Sequence, residues 1–376
     1  MSNYIVTSPE EESLKRDLDS KQDIYSLRLK RYLSMPDLSR TSGSPLEEIV
    51  KKAKKVPSLK DFDDIKIPEI IPVNIMFDLF NMPEGHPARS KSDTYYVDEG
   101  NVLRTHDTVF WYYYLNHPDI KKRIENKETL GAICYGKVYR KDEIDRHHMN
   151  VFHQFGGWLI APDDKKTITP EDLKNTLSEI ATSIFGNINF RFYDHNFPYT
   201  DPSFEMEAEI NGRWVEMLGC GMVRKSVLSN LGLEGYHGWA FGFGLERLAI
   251  ASMQLPDIRL LWSEDDRVKK QLKLGNKFKE VSKYPPIVRD ISFVVKTDFV
   301  PNDYFDFVRE LAPGIIEEVE LLDKYENVEK FGEGKVSYAY RITYRSLEKT
   351  LTGKEIDEVH KKLETETAKI FGATIR

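Results

Sequence analysis

The chain changes its hydrophobic rhythm several times. Over residues 1 to about 43, Leu14, Leu18, Tyr25, Leu29 and Tyr32 recur at roughly helical spacing on a polar, charge-dense background. That pattern predicts a solvated N-terminal extension carrying one amphipathic helix. SGSPLEEIVKKAKK then reads as a helix start, with Ser44 as N-cap, Pro45 in the first turn and Glu47 completing a capping box. Residues 57–73 hold several prolines and few regular repeats and read as a connector, so that 44–73 is helix plus connector. From about 74 to 262 strand-like runs (ICYGKVYR, FGGWLIA, INFRFYD, RWVEMLGCGMV) alternate with helical ones (PEDLKNTLSEIATSIF, GLERLAIAS). Strands that carry polar residues on one side and are joined by short turns predict a mainly antiparallel sheet with flanking helices, an α+β core.

Residues 263–282 are charged and lead into Lys283-Tyr284-Pro285-Pro286, a linker. The last unit, 283–376, reads strand (IVRDISFVV), helix (NDYFDFVRELA), strand (IEEVELLDKYE), strand (KVSYAYRITYRS), helix (GKEIDEVHKKLETETAKIF) and strand (ATIR), with Gly314 and Gly372 at the helix ends. The order βαββαβ is that of a ferredoxin-like domain.

Composition narrows the class. With 376 residues, 40% hydrophobic and 31% charged, the chain suits two or three packed domains. No apolar run approaches the roughly 18 residues of a membrane span. The start, MSNYIVTSPEEESLKRD, has no apolar core for secretion and too many acids for a transit peptide, and the two cysteines, Cys134 and Cys220, lie far apart. These features predict a cytoplasmic protein with neither disulfides nor a thiolate metal site. The net charge of −7 lacks the basic excess common in nucleic-acid binders, although a local basic face is compatible with it. GxxxxGK[ST] and strand-borne GxGxxG loops are absent.

Four clusters carry candidate chemistry. In GKVYRKDEIDRHHMNVFHQFGG, residues 136–157, Arg140, Asp142, His148, Phe152 and Gln154 share sequence parity, and an extended hairpin would aim all five at one face. A guanidinium there holds phosphate and a flat ring stacks on a base; the alternative is a charged surface hairpin with a buried Phe. In WAFGFGLERLAI, glycines permit close approach and Arg247 sits one turn into a helix, unless it is merely solvated. NFPYTDPSFEMEAEINGRWVEMLGCGM offers Phe197 and Tyr199 on one side of a strand, and Asp201, Glu207 and Glu216 as acids of the kind that bind Mg2+ alongside phosphate. In the segment 85–108, His106 and Thr108 present a ring nitrogen and a hydroxyl to one side. His147, His148 and His153 lie close in sequence but lack metal-ligand spacing.

In this order, HPAR (86–89), LRTH (103–106), YRKDEID (139–145), FHQ (152–154), FPYTDPSFEME (197–207), LGCGM (218–222) and GFGLERLA (242–249) resemble the phenylalanyl-tRNA synthetase family. PDIRLLW (256–262), SKYPPIVRDISF (282–293) and YRITYRSLEKTLT (340–352) resemble its single-chain, mitochondrial-type form. The resemblance covers roughly residues 70–376. It implies a class II synthetase core at 74–262 fused to a ferredoxin-like anticodon-binding domain at 283–376, acting as a monomer. It also leaves a mitochondrial location open. The implied partners are ATP, Mg2+, phenylalanine and tRNA(Phe), with no membrane.

Residue by residue, the resemblance implies that Arg140 meets the α-phosphate, and that Phe152 and Arg247 flank adenine, with Arg247 also reaching the γ-phosphate. Asp142, His148 and Glu216 support the nucleotide, and Asp201 and Glu216 hold the metal. His106, Thr108 and Gln154 hold the ammonium and carboxylate of the amino acid, while Phe197, Tyr199 and Ala240 shape the phenyl pocket. Three positions depart from the family pattern. Thr108 stands for a serine, Tyr199 for a phenylalanine, and Gly156 for a glutamate that helps bind the substrate ammonium, a charge-assisted hydrogen bond of roughly 1.5–3 kcal/mol. Gly156→Glu is therefore expected to tighten phenylalanine binding, unless a nearby acid such as Asp107 or Glu207 has taken the role.

Overall fold

The computed structural model describes residues 2–143, 145–210, 212–280 and 284–376. It divides into two compact units: Met1–Arg140, Val151–Leu255 and Leu272–Lys277 in the first; Lys141–Asn150, Pro256–Gln271 and Phe278–Arg376 in the second.

The first unit is built on strands β1 (Asn3–Ile5), β2 (Asp63–Lys66), β3 (Ile70–Pro72), β4 (Asn101–Leu103), β5 (Leu130–Tyr139), β6 (Val151–Pro162), β7 (Phe190–His195), β8 (Thr200–Ile210), β9 (Arg213–Val223) and β10 (Tyr236–Gly244). Eight of them form one sheet in the order β1-β2-β5-β6-β10-β9-β8-β7, while β3 and β4 pair separately. The β1–β2 and β2–β5 pairs are parallel and the rest of the sheet is antiparallel. All ten residues of β5 are buried, as expected for a strand covered on both faces. β7, at the edge, is mostly exposed.

One face of the sheet carries Phe155, Phe241 and Phe243, whose rings stack in parallel 5.1–6.1 Å apart. The helices Pro45–Lys54, Pro170–Phe185 and Leu245–Met253 pack with one another and with the sheet. The other face buries Trp158 against Trp111, with Cys134 and Ala240 in the same apolar cluster.

Two N-terminal expectations change. Residues 1–43 are not a solvated tail with one helix. They form β1 and two helices, Pro9–Ser20 and Ile24–Ser34. Leu18, Leu29 and Tyr32 are buried in one cluster with Tyr95, Leu103, Tyr139 and Val151. Nor is 57–73 only a connector, because it contributes β2, which is hydrogen-bonded between β1 and β5. The cap before Pro45–Lys54 is also offset. Ser44 accepts from the backbone N–H of Leu46, while Glu47 accepts from that of Gly43 rather than Ser44.

The second unit holds β11 (Ile287–Lys296), β12 (Ile316–Tyr325), β13 (Lys335–Tyr344) and β14 (Thr374–Ile375), in the order β12-β13-β11-β14. The helices Pro301–Leu311 and Gly353–Phe371 bury their apolar faces against it. Thr352 and Glu355 make a complete capping box at the start of the second helix, and Gly372 ends it at φ 60°. This is the βαββαβ order read from sequence.

Part of the predicted linker is structured: Asp266–Lys269 is a short helix that buries Val268. Lys283 and the last two positions of 263–282 lie outside the described residues. The segment Lys141–Asn150 belongs to this unit through the helix Pro301–Leu311. Lys141 pairs with Asp303 at 2.8 Å, Asn150 donates to Asp306 at 2.6 Å, and Arg309 donates to the carbonyls of Asp142 and Glu143.

Candidate active site

The site is floored by residues too small to fill it. Rows of cross-strand partners run across the sheet face that bears Trp158: Gly136–Gln154–Gly244, then Cys134–Gly156–Gly242–Gly219, then Ala132–Trp158–Ala240–Gly221. What fills the space above these glycines comes from elsewhere in the chain. A Cβ on Gly219 would lie 2.6 Å from the Phe197 ring, one on Gly156 would lie 2.5 Å from Asp107 Oδ2, and one on Gly136 would lie 2.6 Å from Arg104 Nη2. Gly136 also has φ 148°, a conformation that favours glycine.

At one end of this floor the strands deliver charge. β5 ends at Tyr139, and Arg140 follows, exposed. Its Nε donates to the Thr105 carbonyl at 2.9 Å, and its guanidinium lies 5.3 Å from the centre of the Phe152 ring. Phe152 is half-buried and shares its face with Gln154 and Gly156. Beyond Gly244 the chain turns directly into the helix Leu245–Met253, and Arg247 in its first turn pairs with Glu216 at 2.6 Å, both about half exposed. A register shift in the β8–β9 ladder, where Met206 faces Leu218 but Glu207 faces Glu216, leaves Met217 unpaired. Such a bulge turns Glu216 to the face of Gly219.

The other end is aromatic and partly buried, and the His106 ring there is unpartnered. The rings of Phe197 and Tyr199 stack in parallel, 5.8 Å apart, and Tyr199 faces His106 at 6.3 Å. Ala240 is buried between Trp158 and Gly221 at the base. His106 is buried with neither ring nitrogen hydrogen-bonded. Burial, helped by the Arg140 charge, lowers its pKa to about 3, so the ring is neutral. Burial likewise pushes the Tyr199 phenol up to about 12. Gln154 accepts the Asp107 backbone N–H at 3.0 Å on its side-chain oxygen. Thr108 is half-buried beside His106, and its carbonyl accepts from Trp111.

Several sequence expectations need correction. Asp142 and His148 do not extend the hairpin that carries Arg140, Phe152 and Gln154, because β5 stops at Tyr139 and β6 starts at Val151. They lie in the segment 141–150 of the second unit, where His148 is exposed and bonded to Asp145 at 2.7 Å. Asp201 and Glu216 do not stand together as a metal pair. Thr200 pairs with Val223, so Asp201 lies at the far end of the β8–β9 ladder, about 20 Å along the strands from Glu216. Asp201 is exposed and paired with Arg224 at 3.3 Å. Among the described residues no three His, Cys, Asp or Glu side chains gather as a metal cluster. Glu216 is left as a lone, half-exposed carboxylate at the cationic end, paired there with Arg247.

Three residues went unassigned in the sequence reading. Arg104 is buried and its Nε donates to the Lys137 carbonyl at 2.6 Å. His153 and Glu246 form a buried pair on the opposite face, 2.6 Å apart, and His153 Nε2 accepts the Leu38 backbone N–H. His153 thus ties the N-terminal segment to the sheet and to the helix that carries Arg247. In the sequence it stood among neighbouring histidines and inside FHQ, and strand parity places it opposite Gln154.

Comparison with known proteins agrees with this arrangement. The family described as tRNA synthetases class II core domain (F) matches residues 31–272, and the ferredoxin-fold anticodon binding domain matches 282–376. The chain is 41% identical over 252 residues to a protein of Arabidopsis thaliana named phenylalanine–tRNA ligase, chloroplastic/mitochondrial, covering 64% of this chain and 58% of that one. It is 36% identical over 278 residues to the mouse mitochondrial phenylalanine–tRNA ligase, covering 64% and 61%. It is 32% identical over 328 residues to a Drosophila melanogaster protein named probable phenylalanine–tRNA ligase, mitochondrial, covering 70% and 72%. The match spans about three fifths of the length of the plant and mouse proteins. The chain belongs to the F-type family of class II tRNA synthetase cores, here followed by a ferredoxin-fold anticodon-binding domain.

Proposed function

We propose that this protein activates phenylalanine with ATP and transfers it to tRNA(Phe) as a single, monomeric chain, in an organelle matrix or in the cytoplasm of its cell. The carboxylate of the amino acid attacks the α-phosphorus of ATP and expels pyrophosphate. A hydroxyl of the terminal ribose of the tRNA then attacks the carbonyl of the resulting aminoacyl-adenylate, takes the acyl group and releases AMP. Neither step needs a protein nucleophile, so the residues act by positioning and by meeting charge that develops on phosphate.

Arg140 meets the α-phosphate, and Phe152 stacks on adenine with Arg247 on the other face of the ring. Arg247 meets the distal phosphates. Mg2+, when bound, screens phosphate charge, and Glu216 is the side chain that would hold it. His106 and Gln154 orient the amino acid, and Thr108 lends its hydroxyl. Phe197, Tyr199 and Ala240 enclose the phenyl ring. The ferredoxin-fold unit reads the tRNA away from its acceptor end, supplying binding energy that helps position the ribose.

The observation that carries this reading is the cleft itself: a glycine floor between a cationic end with a stacking ring and a buried aromatic end with an unpartnered imidazole. The test is charging of tRNA(Phe) transcripts with labelled phenylalanine. ATP-dependent, tRNA(Phe)-selective charging is expected. Charging with another amino acid, or of unrelated tRNAs equally well, would replace the reading.

A further inference from the structure

The buried end of the cleft holds a carboxylate that the reaction above leaves unused. Asp107 is 3% exposed, and its Oδ2 has no hydrogen-bond partner. The same carboxylate lies where a Gly156 side chain would start, with Oδ1 3.6 Å from where a Gly242 Cβ would stand. It is therefore seated over the middle row of the floor, between the row of Gln154 and the row of Ala240. A buried carboxylate oxygen with no donor is costly, and such a group persists where a ligand or a cation completes it.

The surrounding groups leave that place open. On its own segment stand neutral His106 and the cation Arg104; from the end of β5 comes Arg140, and from the aromatic wall Tyr199. Among the described residues none of them hydrogen-bonds Oδ2. Facing it across the floor is the parallel Phe197–Tyr199 pair, with Phe197 directly above Gly219, in the same row as Gly156 and Gly242. A carboxylate acceptor and an aromatic wall on one row of residues match a compact guest with a primary ammonium next to a phenyl-bearing carbon.

We infer that Asp107 is the acceptor for the substrate ammonium, and that residue 156 is glycine because the Asp107 carboxylate occupies the volume a side chain there would need. This rests on the phenylalanine reading above. It reverses the expectation for Gly156→Glu, since the new Cβ would start 2.5 Å from an oxygen on a short side chain and bring a second carboxylate beside it. The acid has moved from the strand to the segment above it, and the two positions act as a unit.

The test uses the full chain with two readouts: phenylalanine-dependent pyrophosphate exchange, and calorimetric binding of phenylalanine and of 2-phenylethylamine, which keeps the ammonium and lacks the carboxylate. Asp107→Asn keeps the volume and removes the charge. It should raise KM for phenylalanine roughly 10- to 150-fold, leave KM for ATP within about twofold, and abolish amine binding. Gly156→Glu alone should also weaken phenylalanine. The double variant Asp107→Ala/Gly156→Glu, which returns one carboxylate from the strand, should recover most of the loss, a rescue that a merely structural role for Asp107 does not produce. If Asp107→Asn exchanges like wild type, or if Gly156→Glu alone tightens binding, the inference is wrong while the ligase reading stands. If wild type binds both ligands through Asp107 but shows no exchange, the ammonium site stands and the ligase reading fails. Absence of both binding and exchange overturns both.

Discussion

The two ends of the cleft solve different electrostatic problems. At the Arg140 end the charges are exposed or half-exposed, and Arg247 is paired with Glu216. Such pairs are individually weak in water and are easily exchanged for phosphate. At the Asp107 end the titratable groups are buried and shifted: His106 to about 3 and Asp107 to about 7, both chiefly by burial. The first end suits a highly charged ligand that arrives with its own cation. The second suits a small one whose single ammonium must be distinguished from water. One sheet face serves both because glycines lower its floor just where Asp107 and Phe197 descend on it.

If the ends differ in this way, they should fail differently. The largest effect is expected from Arg140→Ala, which removes the charge proposed to meet the reacting phosphate. It should cost roughly 10²- to 10³-fold in kcat for pyrophosphate exchange, with thermal melting little changed because the side chain is exposed. Near-normal exchange would remove Arg140 from the nucleotide end.

A smaller, graded effect is expected from pH. Only the ionised Asp107 carboxylate accepts an ammonium, and burial raises its pKa from 3.8 to about 7 in the free protein, despite the opposing charges of Arg104 and Arg140. Below that value kcat/KM for phenylalanine should fall about tenfold per pH unit, and above it the profile should level, while KM for ATP stays flat. His106, at about 3, and Tyr199, at about 12, do not titrate in this window. A profile flat from pH 5.5 to 8 would remove Asp107 from recognition. The smallest effect is expected from Tyr199→Phe, a nearly volume-conserving change in the aromatic wall, which should alter KM for phenylalanine by about threefold or less. A large change would mean that the hydroxyl, not the ring, contacts the substrate.

What could be read from sequence follows the same division. Arg140, Phe152 and Gln154 were legible because strand parity and a strand end are local features. The ferredoxin-like unit was legible because its amphipathic periods and the helix-ending Gly372 are local too. The N-terminal helices were misread because the surface that buries Leu18, Leu29 and Tyr32 is supplied by Tyr95, Leu103, Tyr139 and Val151, far along the chain. Asp142 and His148 were misplaced because parity continues on paper through a segment where the ladder has stopped. Asp201 and Glu216 were paired because both are acids near one motif, whereas antiparallel register sends them to opposite ends of β8 and β9. For the acid missing at 156 the sequence offered Asp107 and Glu207 alike, and the packed structure sets Asp107 over Gly156.

Under the proposed function, the buried end selects phenylalanine by its ammonium and its ring together. Pyrophosphate exchange by the wild-type chain, run with phenylalanine, the other amino acids and 3-phenylpropanoate in parallel, tests it most directly. The account predicts robust exchange with phenylalanine and none with 3-phenylpropanoate, which has the ring and carboxylate but no ammonium. Comparable exchange with 3-phenylpropanoate, or exchange driven by a different amino acid while phenylalanine is inert, would contradict it.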